Sequence, residues 1–257
     1  MSWTASELDA ALTKVGVNPG DLIFVHSSLG LLGVSDVEDT TGQVLEALER
    51  RVTQSGAIFL PAFTYSLNTV FRPFQEEPSA SMGALPQRAF TNAYEVHEDP
   101  LFRTLASPGM GAEIVQRGFQ DRSFGPGSLF SLLVDLNVKV LNIATGSGST
   151  LLHELEHRLG VTYRFEKEFE IVKSKCVTCP LEHRKWVSYV RDLDDSGSEA
   201  DFTLFSKMVR GREFWASARL GYSSVTLYRS LDALRFLESE LFNRPSLLTR
   251  RGVEGLD

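Results

Sequence analysis

Two chemistries can be read from one stretch, His153-Glu154-Leu155-Glu156-His157. As H-E-x-x-H, the two histidines would face one side of a helix and bind zinc while Glu154 activates water. Gly160 extends the match toward a longer zinc-peptidase motif, but Tyr163 stands where its third histidine belongs. The other reading uses steps of three: Thr150, His153 and Glu156 share a helical face, which sets a carboxylate beside an imidazole. An amine is an ammonium ion in water and must lose a proton before it can attack a carbonyl carbon. A histidine can take that proton near neutral pH, and a neighbouring carboxylate would raise its basicity. Five-residue motifs with two free positions arise by chance, so the base-and-carboxylate reading is preferred.

The elements around this helix favour the same choice. Lys139-Val140-Leu141-Asn142-Ile143 reads as a buried strand, Thr145-Gly146-Ser147-Gly148-Ser149 as a small-residue turn, and 150–159 as the helix they deliver. Open α/β sheets bind ligands past the carboxyl ends of their strands, so this order suits a site better than an incidental helix histidine. Leu22-Ile23-Phe24-Val25 and Ala57-Ile58-Phe59-Leu60 are further buried strands, joined by a helix over 41–52 with Val44, Leu45 and Leu48 on one stripe. His26, Ser27, Ser28 and Leu29 follow the first strand; Phe63, Thr64 and Tyr65 follow the second. Thr41 lies at the start of the helix between them, where N–H groups and the dipole could receive phosphate oxygens. Phe124 and Gly125 precede a helix over 128–134 and could line a cleft or anchor a turn.

Elsewhere, residues 6–12 form a capped helix ended by Gly16 and the turn Asn18-Pro19-Gly20. Residues 63–108 are irregular and lid-like, with one helix at 85–92. Another helix falls at 110–116. An antiparallel hairpin region spans 161–195, with strands at 164–172 and 186–191, and helices follow at 201–209 and 226–241. The expected architecture is one domain over 1–257: a three-layer α/β/α sandwich, its central sheet mostly parallel, with an antiparallel C-terminal extension.

Composition narrows the task. A hydrophobic share of 42% and a charged share of 23% are those of a globular protein. A net charge of −7 argues against non-specific nucleic-acid binding. No signal peptide or membrane-length apolar run is evident, so a cytoplasmic chain is expected. Cys176 and Cys179, with His183 nearby, make half a zinc site and read better as incidental thiols of a hairpin loop in a reducing compartment. No serine or cysteine has the strand-elbow setting of a nucleophile, which favours direct transfer over a covalent acyl-enzyme. No metal is expected.

Several stretches, in order, resemble the aminoglycoside 3-N-acetyltransferase family: GDLIFVHSSL from Gly20, GAIFLPAFT from Gly56, Phe124-Gly125-x-Gly127-Ser128, the strand at 138–143, and Ser149-Thr150-x-x-His153-x-x-Glu156. The resemblance implies an α/β/α sandwich that moves an acyl group from acetyl-CoA or another acyl-CoA to an amine. It makes His153 the base and Glu156 its partner, with His26 to Leu29, Phe63 and Thr64 as coenzyme A-contacting surface. Tyr65, Phe124, Gly125 and Arg164 are then acceptor-side candidates. His97-Glu98-Asp99-Pro100 replaces the family's usual Arg-Ser-x-His-Pro segment, and 161–169 with 189–194 look more like members from surface-polysaccharide biosynthesis. That comparison points to a nucleotide-linked amino sugar rather than a dedicated antibiotic-resistance role, with Arg164 and Lys167 meeting acceptor phosphates. A zinc peptidase and a non-catalytic coenzyme A-binding relative are the competing readings. Phe-rich loops could supply a homodimer interface.

Overall fold

The computed structural model describes residues 2–64, 70–118 and 121–255. Seven strands form its main sheet, in the spatial order Ala216–Leu220, Ser223–Arg229, Lys139–Ile143, Leu22–Ser27, Ala57–Pro61, Thr104–Ala106, Glu95–His97. Leu22–Ser27 runs parallel to both of its neighbours, and every other pair is antiparallel. Following the pairings outward, only Ser223–Arg229 and Thr104–Ala106 point against the rest, so the sheet is mostly parallel in direction.

The period of two along the central strands builds the layers. Ile23, Val25, Ile58, Leu60, Leu141 and Ile143 pack into one core with the helices Ala5–Val15 and Thr40–Val52. Phe24, Phe59, Val140 and Tyr228 face the other way, onto Leu129–Asp135, Leu151–Leu159 and Ser230–Glu240. Because both faces are covered, the central strands read as unbroken apolar runs. The first helix is capped by Thr4, whose side chain accepts from Glu7 N–H while Glu7 reaches back to Thr4 N–H. Among the described residues no helix is long and apolar enough to cross a membrane.

Three expectations need correction. Residues 226–229 are not the start of a helix: Ser223–Arg229 is a strand, and the helix begins at Ser230. Val225-Thr226-Leu227-Tyr228 is β-branched and aromatic, and finds ladder partners from Lys139 to Ile143. Within 63–108, Glu95–His97 and Thr104–Ala106 extend the main sheet as its edge. The hairpin strands are Arg164–Lys173 and Glu182–Arg191, and in the loop between them Cys176 and Cys179 are joined by a disulfide instead of standing as incidental thiols.

Candidate active site

The turn after Lys139–Ile143 is pinned from several sides. Ala144 and Gly146 take positive φ values of 62° and 78°, turning the chain sharply off the strand. Thr226 Oγ1 donates to Gly146 O at 2.6 Å, and Tyr228 Oη to Ser147 O at 3.0 Å. Trp215 Nε1 donates to Ser147 Oγ at 3.0 Å. Gly148 has to be glycine here, since a Cβ would lie 2.8 Å from the Phe202 ring. The helix Leu151–Leu159 follows and ends at Gly160 in the left-handed region.

On that helix Glu156 is wholly buried and gathers two hydrogen bonds and an ion pair. His153 Nδ1 lies 2.6 Å from its Oε2, and Tyr163 Oη donates to Oε1 at 2.8 Å. Arg164 Nε stands 2.7 Å from Oε2, an ionic contact without hydrogen-bond alignment. A carboxylate accepts, so His153 carries its proton on Nδ1 and Nε2 keeps the lone pair. The imidazole sits edge-on to Phe124 at 5.9 Å and tilted against Phe202 at 5.6 Å. Burial pushes its pKa down, the Arg164 charge pushes it further, and Glu156 only partly opposes them. The expected rise in basicity is therefore reversed in the folded chain: burial and a second charge outweigh the carboxylate. The outcome is an imidazole that is neutral near pH 7, the form a proton acceptor needs.

Two cavities are lined by residues of this region. One, of about 340 Å³, opens past the central strands and is lined by His26, Ser27, Pro61, Phe63, Ser149 and Thr150, with Phe202 in its wall. The other, of about 840 Å³, is lined by His153, Arg164, Phe165, Lys167, Tyr189 and the acidic rim Asp192, Asp194 and Glu199. The His153 ring, in the larger cavity, packs against Phe202, which belongs to the wall of the smaller one.

A sequence model described as aminoglycoside 3-N-acetyltransferase matches residues 24–241. The chain belongs to this family. As an aminoglycoside 3-N-acetyltransferase family member it is an acyltransferase. It is 22% identical over 244 residues to aminoglycoside N(3)-acetyltransferase IV from Salmonella sp, covering 95% of this chain and 89% of that protein. Its fold matches the structure of AAC-IIIb in binary complex with CoASH at a TM-score of 0.78, with 20% identity over 95% of this chain and 98% of that one. AAC-VIa bound to sisomicin also gives 0.78, at 19% identity over 95% and 99% of the two chains.

Within this family member the candidate residues are dispersed unevenly. Thr150, His26, Ser27 and Phe63 line the smaller cavity, and His153 and Arg164 the larger. Ser28 heads the 3-10 turn Leu29–Leu32, Leu29 packs on the core, and Thr41 lies in the first turn of its helix; none of these lines either cavity. Thr64 Oγ1 is buried with no partner among the described residues, and Tyr65 lies outside them. Phe124 is buried beside His153. Gly125, at φ 86°, donates its N–H to Glu154 Oε2 at 2.7 Å. Arg164 is held by Glu156, which leaves Lys167 and Arg191 as the other cations of the larger cavity.

The zinc-peptidase reading fails on these contacts. His157, which would be the second histidine ligand, has its Nε2 3.0 Å from Glu166 Oε1. Glu154, which would activate water, is occupied by Gly125 N–H and by Arg158 Nε at 2.9 Å. Tyr163 and Phe202 are site residues that sequence reasoning missed. Tyr163 stood in plain view as the residue displacing a third histidine; Phe202 gave no local signal.

Proposed function

We propose that this chain transfers an acetyl or related acyl group from coenzyme A directly to an amino group of an aminoglycoside-like or nucleotide-linked amino sugar, with His153 as general base. The single observation behind this is the His153 imidazole, paired with buried Glu156, lining the larger cavity and packed on Phe202 of the smaller one's wall. The smaller cavity mixes Val25, Pro61, Phe63 and Met82 with Ser27, Ser149 and Thr150, which suits a pantetheine arm and its amides. The neighbour complexed with CoASH supports that donor.

In the proposed reaction His153 Nε2 takes a proton from the ammonium, and the freed nitrogen attacks the thioester carbon. The hydroxyl of Thr150, one turn before His153 on the donor side, donates to the developing oxyanion. Collapse forms the amide and breaks the C–S bond; of the two protons that leave nitrogen, His153 hands one to the departing thiolate and the other passes to solvent. Asp192, Asp194 and Glu199 on the larger cavity favour a polycationic acceptor, in keeping with the neighbour bound to sisomicin. Lys167 and Arg191 keep a nucleotide-linked amino sugar within the same reading.

Thiol release measured over a panel of aminoglycosides and nucleotide-linked amino sugars tests this. His153→Ala should lower turnover by roughly 10²- to 10⁴-fold, while acetyl-CoA still raises the melting temperature of the variant. Wild-type turnover in His153→Ala refutes the assignment of the base.

A further inference from the structure

We infer that His26 is a positioning residue for the transfer, holding as a hydrogen-bond acceptor the first turn of the helix that carries His153. This rests on the transferase reading above and adds a residue whose role is carried through the backbone. His26 ends the central strand Leu22–Ser27 next to last, with Asn142 as its ladder partner. Its Nε2 accepts the N–H of Thr150 at 3.4 Å and lies 2.9 Å from Ser149 Oγ. Since an N–H points at it, Nε2 is the unprotonated nitrogen, and the Ser149 hydroxyl donates to it. Ser149 Oγ in turn accepts Leu151 N–H at 3.2 Å.

The first turn of a helix leaves N–H groups that need partners. Thr150 offers no side-chain cap to Leu151–Leu159. The His26–Ser149 bridge supplies the missing acceptors. From there the path to the base is short: His153 N–H donates to Thr150 O at 3.0 Å, and Leu152 N–H to Ser149 O at 3.0 Å. The His26 ring is itself steadied edge-on against Phe24 at 5.1 Å. Burial lowers its pKa to about 4, so it keeps its lone pair through neutral and mildly acid pH. That suits a fixed acceptor and is a poor property in a general base, which separates the two histidines of the site by task.

The test compares His26→Ala, His26→Gln, Ser149→Ala and the double alanine variant. A misplacement of about 1 Å at a reacting group costs on the order of 100-fold, so each single alanine variant should lower kcat roughly 10- to 100-fold. The loss should fall mainly on kcat, with only a smaller rise in KM for acetyl-CoA, since His26 and Ser149 also line the smaller cavity. The double variant should be little worse than either single one, because both break the same bridge. His26→Gln can present an amide oxygen at similar reach and should restore most of kcat. Hydrogen exchange of the segment 149–155 gives a readout that does not need turnover: faster in His26→Ala, restored in His26→Gln.

A loss seen only as raised KM for acetyl-CoA would make His26 a coenzyme contact and overturn the inference. So would additive losses, equal behaviour of the Gln and Ala variants, or unchanged exchange. Should His26→Ala fail to fold, Ser149→Ala, which removes a single oxygen, carries the test: wild-type kcat in that variant overturns it. A wild-type chain that acylates no amine refutes the transferase reading, and the exchange measurement then judges the positioning claim separately.

Discussion

Glu156→Gln alone, Arg164→Met alone, and the two together separate what the buried carboxylate does for the reaction from what it does for the fold. The Glu156 side chain is 0% exposed and that of Arg164 6%, with 2.7 Å between them. His153 Nδ1 is 2.6 Å from the same carboxylate oxygen. In the proposed reaction His153 takes the substrate proton and becomes a cation beside that charge. At an effective dielectric of about 20, unit charges about 4 Å apart attract by about 4 kcal/mol. Arg164 already draws on the same oxygen, so about 2 to 4 kcal/mol is a fair span for what Glu156→Gln removes. That predicts a fall in kcat of roughly 30- to 1000-fold. The same substitution strands a buried guanidinium at a cost of roughly 3 to 5 kcal/mol of stability. In the double variant methionine fills the space without a charge, so urea unfolding should recover toward wild type while kcat stays low. The pH profiles carry signs as well. Glu156 raises the His153 pKa and Arg164 lowers it. Glu156→Gln should therefore move the acid limb of kcat/KM to lower pH, and Arg164→Met to higher pH. Limbs that move the same way, or a double variant with full kcat, refute the reasoning.

Two predictions concern the fold. The His26 pKa is lowered to about 4 by burial, so between the ordinary histidine value near ~6.5 and about 4 the unfolded chain binds a proton that the folded chain does not. Stability from this group is complete above pH ~6.5 and is lost as pH falls, by at most about 3 kcal/mol, less because the ring borders a cavity. His26→Gln should flatten the pH dependence of urea unfolding by that amount; an unchanged slope contradicts it. Gly125→Ala would force a side chain into a residue at φ 86° and place its Cβ 2.6 Å from the His157 ring. A loss of about 2 to 4 kcal/mol is expected in the same assay, and an unmoved midpoint contradicts it.

Much of the scaffold was legible because it is local. The apolar runs at Leu22–Ser27 and Ala57–Pro61 announce strands covered on both faces, and alternation along them assigns Ile23 and Phe24 to opposite cores. The step of three from Thr150 to His153 to Glu156 is likewise a property of any helix, so the imidazole and carboxylate were paired before any tertiary contact was known. The end of Ser223–Arg229 reads as helical because the helix Ser230–Glu240 follows it directly and its inner ladder partner, Lys139–Ile143, lies more than eighty residues away, while the adjacent hairpin strand Ala216–Leu220 carries no strong apolar run. The sequence by itself determined the layers, the strand–turn–helix that carries the site, and the histidine–glutamate pair. Only the tertiary structure decided that Arg164 closes on Glu156, that Thr226 and Tyr228 pin the turn, and that His26 reaches Ser149 across the sheet. It also reversed the direction of the His153 shift. Helical spacing is set by neighbouring residues, whereas desolvation and the nearest charges are set by whatever distant chain packs alongside, and no sequence window contains it.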